Sequence, residues 1–169
     1  MEPITAEFAK FKEEIFLVQS DINSAFYERA TNKLEDLVAK YPDRAEPYAE
    51  LGKIAYNFRN HAEAERNLLL AIQADPDYFP PYLQYAVILI RERRFEAAEN
   101  LLKSAESLRH SESAELYFYF GVLYQHQENF TTAIAYFSKS LRCSFNDTQA
   151  KPALDFIRNC QELMALKSV

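Results

Sequence analysis

Three histidines and two cysteines are the side chains in this sequence best suited to metal binding or nucleophilic chemistry. His61, His110 and His126 are separated by 49 and 16 residues, and neither interval matches the ligand spacing of a zinc site. Cys143 and Cys160 are too few for a disulfide framework or a cysteine ligand set. We therefore expect no metal site, and we interpret both cysteines as small buried apolar residues in a reducing compartment.

Paired carboxylates and glycine-rich loops are the other patterns that would indicate catalysis. Carboxylate pairs such as Glu63 and Glu65 fall on the outer faces of predicted helices, where they are interpreted as solvating charges. Neither Gly52 nor Gly121 has a second glycine nearby, so no phosphate-binding loop is predicted. The sequence thus predicts a protein that has no enzymatic activity and no cofactor.

The composition narrows the fold class before any local pattern is considered. The chain has two glycines in 169 residues, whereas the usual share of about 7% would give roughly a dozen. This scarcity argues against sandwiches, barrels and glycine-rich nucleotide folds, because their tight turns need glycine. The hydrophobic fraction of 49% is ample for a buried core. The net charge of −6 disfavours nucleic-acid binding, and the cluster of Arg91, Arg93 and Arg94 is interpreted as a solvated helix end.

The sequence also bears on location. No basic segment followed by an apolar one is visible near the start of the chain, so no secretory signal is predicted. The longest apolar run, Leu116 to Tyr124, has nine residues, whereas a membrane-spanning helix needs about 20. We therefore predict a cytoplasmic protein that does not insert into a membrane.

Several classes of residue recur along the chain at intervals of 34 or 35 residues. The three clearest series are Ala30, Ala64, Ala98 and Ala133; Leu34, Leu68, Leu102 and Phe137; and Leu17, Leu51, Tyr85 and Phe120. The one extra residue falls near residues 110–113, which are predicted to form a turn. Each repeat contains two amphipathic helical patterns, so the sequence predicts a series of antiparallel helix pairs.

Residues that favour helix ends flank these patterns. Asp43 with Glu46, and Asn60 with Glu63, have the spacing of a capping box at a helix N-terminus. Four prolines lie in first helical turns or just after helix ends: Pro42, Pro47, Pro76 and Pro81. Since both glycines fall inside helical patterns, we expect the turns to rely on Asn, Asp, Pro and Ser.

The repeat from 45 to 78 has an aromatic residue and a Leu-Gly pair in its first helix, an alanine and a large apolar residue in its second, and a proline at its end. These residues are Tyr48, Leu51, Gly52, Ala64, Leu68, Ala71 and Pro76. In this pattern the sequence resembles the tetratricopeptide repeat. The resemblance implies an all-α fold, a right-handed superhelix (α-solenoid) of antiparallel helix pairs.

The resemblance extends over most of the chain and predicts a single domain at 1–169. We place a degenerate repeat at 11–44, three clear repeats at 45–78, 79–112 and 114–147, and a capping helix at 148–169. In the degenerate repeat Val18 replaces the glycine and Asp21 replaces an aromatic, so its first helix is expected to be displaced or longer than usual. Gly52 and Gly121 are expected to lie opposite Ala64 and Ala133, where paired helices touch.

The family resemblance further implies that the first helices of the pairs line a concave groove that binds a peptide or helix of a partner protein. The predicted groove residues are Ala49, Lys53, Tyr56, Asn57, Leu83, Val87, Ile90, Arg91, Phe118, Val122 and His126. Within this set the expected apolar anchors are Tyr56, Leu83, Val87 and Phe118. The residues expected to orient the peptide are Lys53, Asn57, Arg91 and His126.

Three occupants of the groove stay open: a partner peptide, a terminal helix of the chain itself, and a second subunit. Some members of the family bind a C-terminal carboxylate with Lys, Asn and Arg, but the corresponding positions here hold Ala49, Lys53, Gln84 and Glu115, which argues against co-chaperone function. Length, acidity and an apolar groove also resemble the class II chaperones of type III secretion, which hold a translocator segment. A homo-oligomeric scaffold that buries its own groove is the third interpretation.

Overall fold

The computed structural model describes residues 6–108 and 113–167, apart from the side chain of Gln149. This part of the chain contains nine helices and no strand. They are α1 (Ala6–Asn23), α2 (Tyr27–Lys40), α3 (Ala45–Asn57), α4 (His61–Ala74), α5 (Pro80–Arg91), α6 (Phe95–Glu106), α7 (Ala114–His126), α8 (Phe130–Cys143) and α9 (Asp147–Lys167). The predicted all-α class is confirmed. The turn expected at 110–113 lies largely outside the described residues.

The contacts of the described residues form two compact units, one up to Pro81 and one from Tyr82 onward. The first unit holds α1 to α4, and the second holds α6 to α9 with all but the first two residues of α5. The repeat boundaries and the single domain at 1–169 stay predictions.

The turn between the two helices of a pair has the same geometry four times. In each turn one residue has a positive φ of about 60°: Ala25, Arg59, Arg93 and Glu128, which are 34, 34 and 35 residues apart. Its N–H binds the carbonyl three residues earlier, and the next N–H binds the carbonyl five residues before it, as from Ala25 to Ile22 (3.0 Å) and from Phe26 to Asp21 (2.9 Å). This is the Schellman arrangement, which satisfies the last carbonyls of the helix.

The expectation that Asn, Asp, Pro and Ser would form these turns is therefore wrong at the left-handed position. The backbone hydrogen bonds of the Schellman arrangement hold any residue there, although an L-residue in this conformation costs about 1–2 kcal/mol. Asn residues act one position later, where the side chains of Asn60 and Asn129 accept hydrogen bonds from the N–H groups of Glu63 (3.4 Å) and Thr132 (3.2 Å).

The other predicted helix ends are confirmed in part. Pro47 and Pro81 lie in the first turns of α3 and α5, while Pro42 and Pro76 follow the ends of α2 and α4. The capping box predicted at Asp43 is wrong, because the N-cap of α3 is Arg44 and makes no side-chain cap bond.

The core of the first unit shows how the degenerate first repeat departs from the others. The 18-residue helix α1 buries Phe11, Ile15 and Val18, which lie on one face at spacings of four and three. Leu17, 34 residues before Leu51, is 49% exposed, so it does not share the burial of Tyr85 and Phe120 in the same series. Val18, which is 1% exposed, stands at the position held by Gly52 in the next repeat.

Asp21 replaces the second aromatic residue of the pattern with a charge. Its side chain is only 8% exposed and lies between two cations of α2, Arg29 and Lys33, with 2.8 Å between Lys33 Nζ and Asp21 Oδ2. The hydrogen bonds from Arg29 and Lys33 hold the pKa of the Asp21 carboxyl below its usual value. An ion pair therefore joins α1 to α2 where the pattern places a ring.

Both glycines lie at close contacts between paired helices, though the contacting side chains differ from those expected. A Cβ added at Gly52 would lie 2.7 Å from Leu68 Cγ, and one at Gly121 would lie 2.5 Å from Cδ1 and Cε1 of Phe137. Ala64 contributes its carbonyl oxygen, at 3.3 Å from the added Cβ. The glycines thus leave room for the large residue one turn after the alanine.

In the second unit, α9 packs on α8 and α7. Ala153 and Cys160 of α9 are fully buried beside Phe130 and Phe137, and burial raises the pKa of the Cys160 thiol. Ser140 of α8 donates a hydrogen bond of 2.6 Å to the carbonyl of Ala114. Phe156, Ile157 and Leu163 of α9 pack on the same cluster, whereas Met164 is 38% exposed.

Gly121→Ala should destabilise the protein by about 1–3 kcal/mol, since overpacking against the Phe137 ring exceeds the gain of about 1 kcal/mol in helix propensity. Urea unfolding measures the change. The double variant with Phe137→Leu should be destabilised by less than the sum of the two single variants. Strict additivity of the two changes would contradict the close contact.

Ala25→Gly should stabilise the protein by about 0.5–1 kcal/mol, because relief of the left-handed strain exceeds the entropy that glycine adds to the unfolded chain. Thermal unfolding followed by circular dichroism provides the measurement. The matched control is Ala135→Gly at an exposed position inside α8, which should cost about 1 kcal/mol. Loss of stability in both variants would refute the turn geometry.

Asp21→Asn should destabilise the protein at neutral pH, and the difference from the wild type should shrink as the pH falls. The folded-state pKa of Asp21 is lowered, so its stabilisation is present above the unfolded value of about 3.9 and is lost as the pH falls through the folded value. Urea unfolding at about pH 7 and pH 3 tests this. Asp36→Asn, on the exposed side of α2, is the control and should change stability little at neutral pH.

Candidate functional site

The groove face predicted on α3 consists of residues with different exposure. Ala49 is 3% exposed and packs with Ala45 and Ala71, which leaves little of its side chain for a ligand. Lys53 is exposed, and its ammonium lies 3.5 Å from a carboxylate oxygen of Glu50, one turn earlier. The accessible part of this face therefore begins at Lys53.

The last turn of α3 completes this face. Tyr56 is half-buried, and its ring centre lies 5.7 Å from that of His61 at the start of α4. Asn57 is the last residue of the helix and is exposed. In the first unit, the structure thus brings an ammonium, a phenol ring and an amide to one face of α3.

Acidic groups surround the phenol of Tyr78, which follows α4 and packs beside Ala49 and Ala45. Burial, together with the charges of Glu46, Glu50 and Asp75, raises the pKa of Tyr78 to about 12. The phenol is therefore neutral at physiological pH and keeps its proton for donation.

The predicted groove residues of α5 divide in the same way. Leu83 and Ile90 are 3% and 2% exposed, so they are buried in the folded chain. Val87 is half-buried, and Arg91, the last residue of the helix, is exposed. The accessible part of this face is an apolar residue followed, one turn later, by a cation.

The predicted groove residues of α7 contact the chain's own last helix. Phe118 and Val122 pack into the cluster that contains Ala153 and Cys160 of α9. The ring of Phe118 lies edge-on to Phe156 of α9, with 5.2 Å between ring centres. Of the three occupants left open by the sequence, a terminal helix is the one that covers these two residues.

Polar contacts join the same two helices near the end of α7. Gln125 Nε2 donates a hydrogen bond of 2.8 Å to Oδ1 of Asn159. Lys167, the last residue of α9, forms an ion pair with Glu128 in the turn after α7. His126 is exposed at the end of α7 and lies outside this packing.

Metal-binding clusters and membrane-spanning helices are both absent from the described part of the chain. Within residues 6–108 and 113–167, no group of three or more His, Cys, Asp or Glu side chains is arranged to hold a metal ion. In the same part of the chain, no helix has the length and apolar character needed to cross a membrane.

Sequence reasoning did not anticipate a cleft of about 520 Å³ in the first unit. It lies between α2 and α4, and its floor is the side of α3 opposite Lys53, with Leu51, Ile54 and Ala55. The sequence held one signal for this cleft. Ala55 and Tyr124 occupy equivalent positions of the repeat, but the alanine side chain is far smaller than the tyrosine side chain.

Solved structures with the same fold come from several organisms. TTC0263, a thermophilic tetratricopeptide repeat protein in Thermus thermophilus, has a TM-score of 0.71 at 20% identity over 90% of this chain and 80% of that one. Pseudomonas aeruginosa pilF has a TM-score of 0.75 at 18% identity, covering 89% and 76%. Yeast Tom70 reaches a TM-score of 0.80 at 18% identity over 94% of this chain, which spans 34% of Tom70. At these identities the likeness shows the fold.

A search of curated protein sequences finds no significant match. A family model described as tetratricopeptide repeat matches residues 17–79 and 86–147, which is more than half of the chain. These segments contain the repeated alanines, both glycines and all four positive-φ turns. The chain belongs to the tetratricopeptide repeat family, whose fold is generally a non-catalytic scaffold that binds protein partners.

Proposed function

We propose that this protein is a non-enzymatic interaction module that binds a peptide or helix of a partner protein on the groove faces of its first helices. The observation that carries the proposal is the packing of α9 on α7. The groove residues Phe118 and Val122 accept an amphipathic helix of the same chain, with Phe156 as its aromatic anchor. This is the type of contact that a partner helix would make.

The equivalent faces of α3 and α5 have groups suited to the same purpose. On α3, Tyr56 supplies an aromatic surface, while Lys53 and Asn57 can donate hydrogen bonds to a peptide. On α5, Val87 supplies an apolar contact and Arg91 a cation. An aromatic or aliphatic anchor beside a polar group is typical of the residues that contribute most to binding.

The proposal includes a partner protein, no cofactor and a cytoplasmic location. A class II-type secretion chaperone and a homo-oligomeric scaffold stay as alternatives with the same fold. Sedimentation at micromolar concentration separates the last of these, because a scaffold that buries its own groove would not sediment as a monomer.

Val87→Glu should leave helicity and the melting temperature close to those of the wild type and should weaken partner capture about tenfold or more, because it places a carboxylate in an apolar contact. The measurement is a pull-down from the source cell with quantification of the protein that the wild type retains. Ala97→Glu, which adds the same charge at an exposed position of α6, is the matched control and should bind normally.

Two outcomes would count against the proposal. If Val87→Glu melts the protein, Val87 belongs to the core and the face is misplaced. If a folded Val87→Glu variant and a Lys53→Glu variant both retain the partner as the wild type does, the groove faces do not bind it.

A further inference from the structure

The cleft of the first unit lies on the side of α3 opposite Lys53, away from the groove face. Its volume of about 520 Å³ lies within the range of about 300–1,000 Å³ that is usual for ligand sites. The floor consists of Leu51, Ile54 and Ala55 of α3. The rim includes Glu35 of α2, and Arg66 and Asn67 of α4. The site is thus an apolar floor between two helices with a polar border.

The internal repeat shows what the chain places at the same positions in its second unit. Ala55 corresponds to Tyr124 and Asn67 to Tyr136, each 69 residues later, and Leu51 corresponds to Phe120. The rings of Tyr124 and Tyr136 are stacked, with 5.4 Å between their centres and 11° between their planes. Tyr136 in turn stacks on Phe120 at 4.8 Å and 16°. Two aromatic side chains therefore lie where the first unit has an alanine and an asparagine.

The rings of the second unit have charged neighbours. The Tyr124 hydroxyl donates a hydrogen bond of 3.1 Å to Glu99, whose carboxylate is 2.6 Å from the ammonium of Lys103. The ammonium of Lys139 lies 4.9 Å from the centre of the Tyr136 ring. Burial and the Glu99 charge raise the pKa of Tyr124 to about 12, so its hydroxyl remains a donor. Aromatic rings and cations thus occur together on this surface.

The first unit has no lysine at the positions equivalent to Lys103 and Lys139. Glu35 stands at the position of Lys103, 68 residues earlier, and Leu70 stands at the position of Lys139. Arg66 is engaged by Glu63, with 2.8 Å between the guanidinium nitrogen and the carboxylate oxygen. Glu35 therefore leaves a negative charge on the border of an apolar cleft.

We propose that this cleft docks a partner protein segment that presents an aromatic side chain next to a lysine or arginine. The ring occupies the space above Leu51, as Tyr136 occupies the space above Phe120. The basic side chain pairs with Glu35, which restores the combination of ring and cation found in the second unit. Phe58, 63% exposed at the border, offers a further apolar edge.

The aromatic side chains that line the cleft favour an aromatic occupant over an aliphatic one. Tyr48, which lines the cleft, and Phe58 can make edge contacts with an inserted ring, and such aromatic pairs add to the gain from area burial. Asn67 is 5% exposed, and its Nδ2 donates a hydrogen bond of 3.5 Å to Glu63 Oε1, so its carbonyl oxygen is the atom that could accept from a phenol hydroxyl or an indole N–H. The proposal concerns a second surface and does not depend on the groove faces of α3 and α5.

The test is a titration of the isotope-labelled full chain with N-acetyl-tyrosyl-arginine amide, followed by backbone amide shifts. Saturable shifts are expected at Ala55, Phe58 and Asn67. N-acetyl-alanyl-arginine amide, which lacks the ring, should cause no saturable shift at these residues. N-acetyl-tyrosyl-glutamate amide should bind about two- to fivefold more weakly, the effect of one exposed ion pair.

Two variants complete the design. Ala55→Tyr combined with Asn67→Tyr fills the cleft as the second unit does and should abolish the shifts. Glu35→Lys, at an exposed residue, should remove the preference for arginine over glutamate in the probe. Glu28→Lys, at an exposed position near the start of α2, is the charge-matched control and should keep that preference.

The proposal is overturned if the shifts saturate only at Lys53 and Asn57, or if the folded double-tyrosine variant binds the probe as the wild type does. It is also overturned if the wild type shows no saturable shift, or if the cleft proves to be the contact of a dimer that the double-tyrosine variant dissociates. Should that variant fail to fold, the shifts of the wild type and of Glu35→Lys decide the question. None of these results bears on partner capture by Val87→Glu, so the cleft proposal and the groove proposal can be refuted independently.

Discussion

Close contact between the two helices of a pair is the constraint from which the architecture follows. At Gly121 the α7 backbone approaches α8 so closely that an added Cβ would lie 2.5 Å from the Phe137 ring, and at Gly52 the corresponding neighbour is Leu68. A glycine inside a helix lowers stability by up to about 1 kcal/mol relative to alanine. The close packing of the paired helices, rather than flexibility, therefore explains glycine at these two positions. The four turns that return the chain into these contacts close with backbone hydrogen bonds and hold residues such as Arg59 at positive φ.

The same scaffold accommodates different groups at equivalent positions. In the first repeat Asp21 pairs with Arg29 and Lys33 where the pattern has an aromatic residue, and the surrounding helices remain in place. In the second unit the face of α7 is covered by α9, whereas α3 keeps an accessible Lys53 and Asn57. Equivalent repeat positions thus hold small residues, rings or charges on one common scaffold.

Much of the fold was predictable because small and large apolar residues recur at the positions where paired helices pack. The alanines and large apolar residues that recur at intervals of 34 or 35 residues are buried in all four second helices, so the pairing of helices follows from their spacing. Leu17 shows the limit of this reasoning, because its series indicates burial whereas α1 places Val18 in the core instead. The spacing of the groove residues did not predict their exposure, since Ala49, Leu83 and Ile90 are buried whereas Lys53 and Arg91 are exposed.

The sequence by itself determined the family, the helical class, the absence of a recognisable catalytic pattern and the positions at which paired helices touch. These features depend on the spacing of residue types along the chain, which can be read from one sequence. The tertiary structure decided the exposure of each side chain, the covering of Phe118 and Val122 by α9, and the cleft beside Ala55. Each of these depends on the volume left between helices, and that volume is set by side chains on different helices acting together.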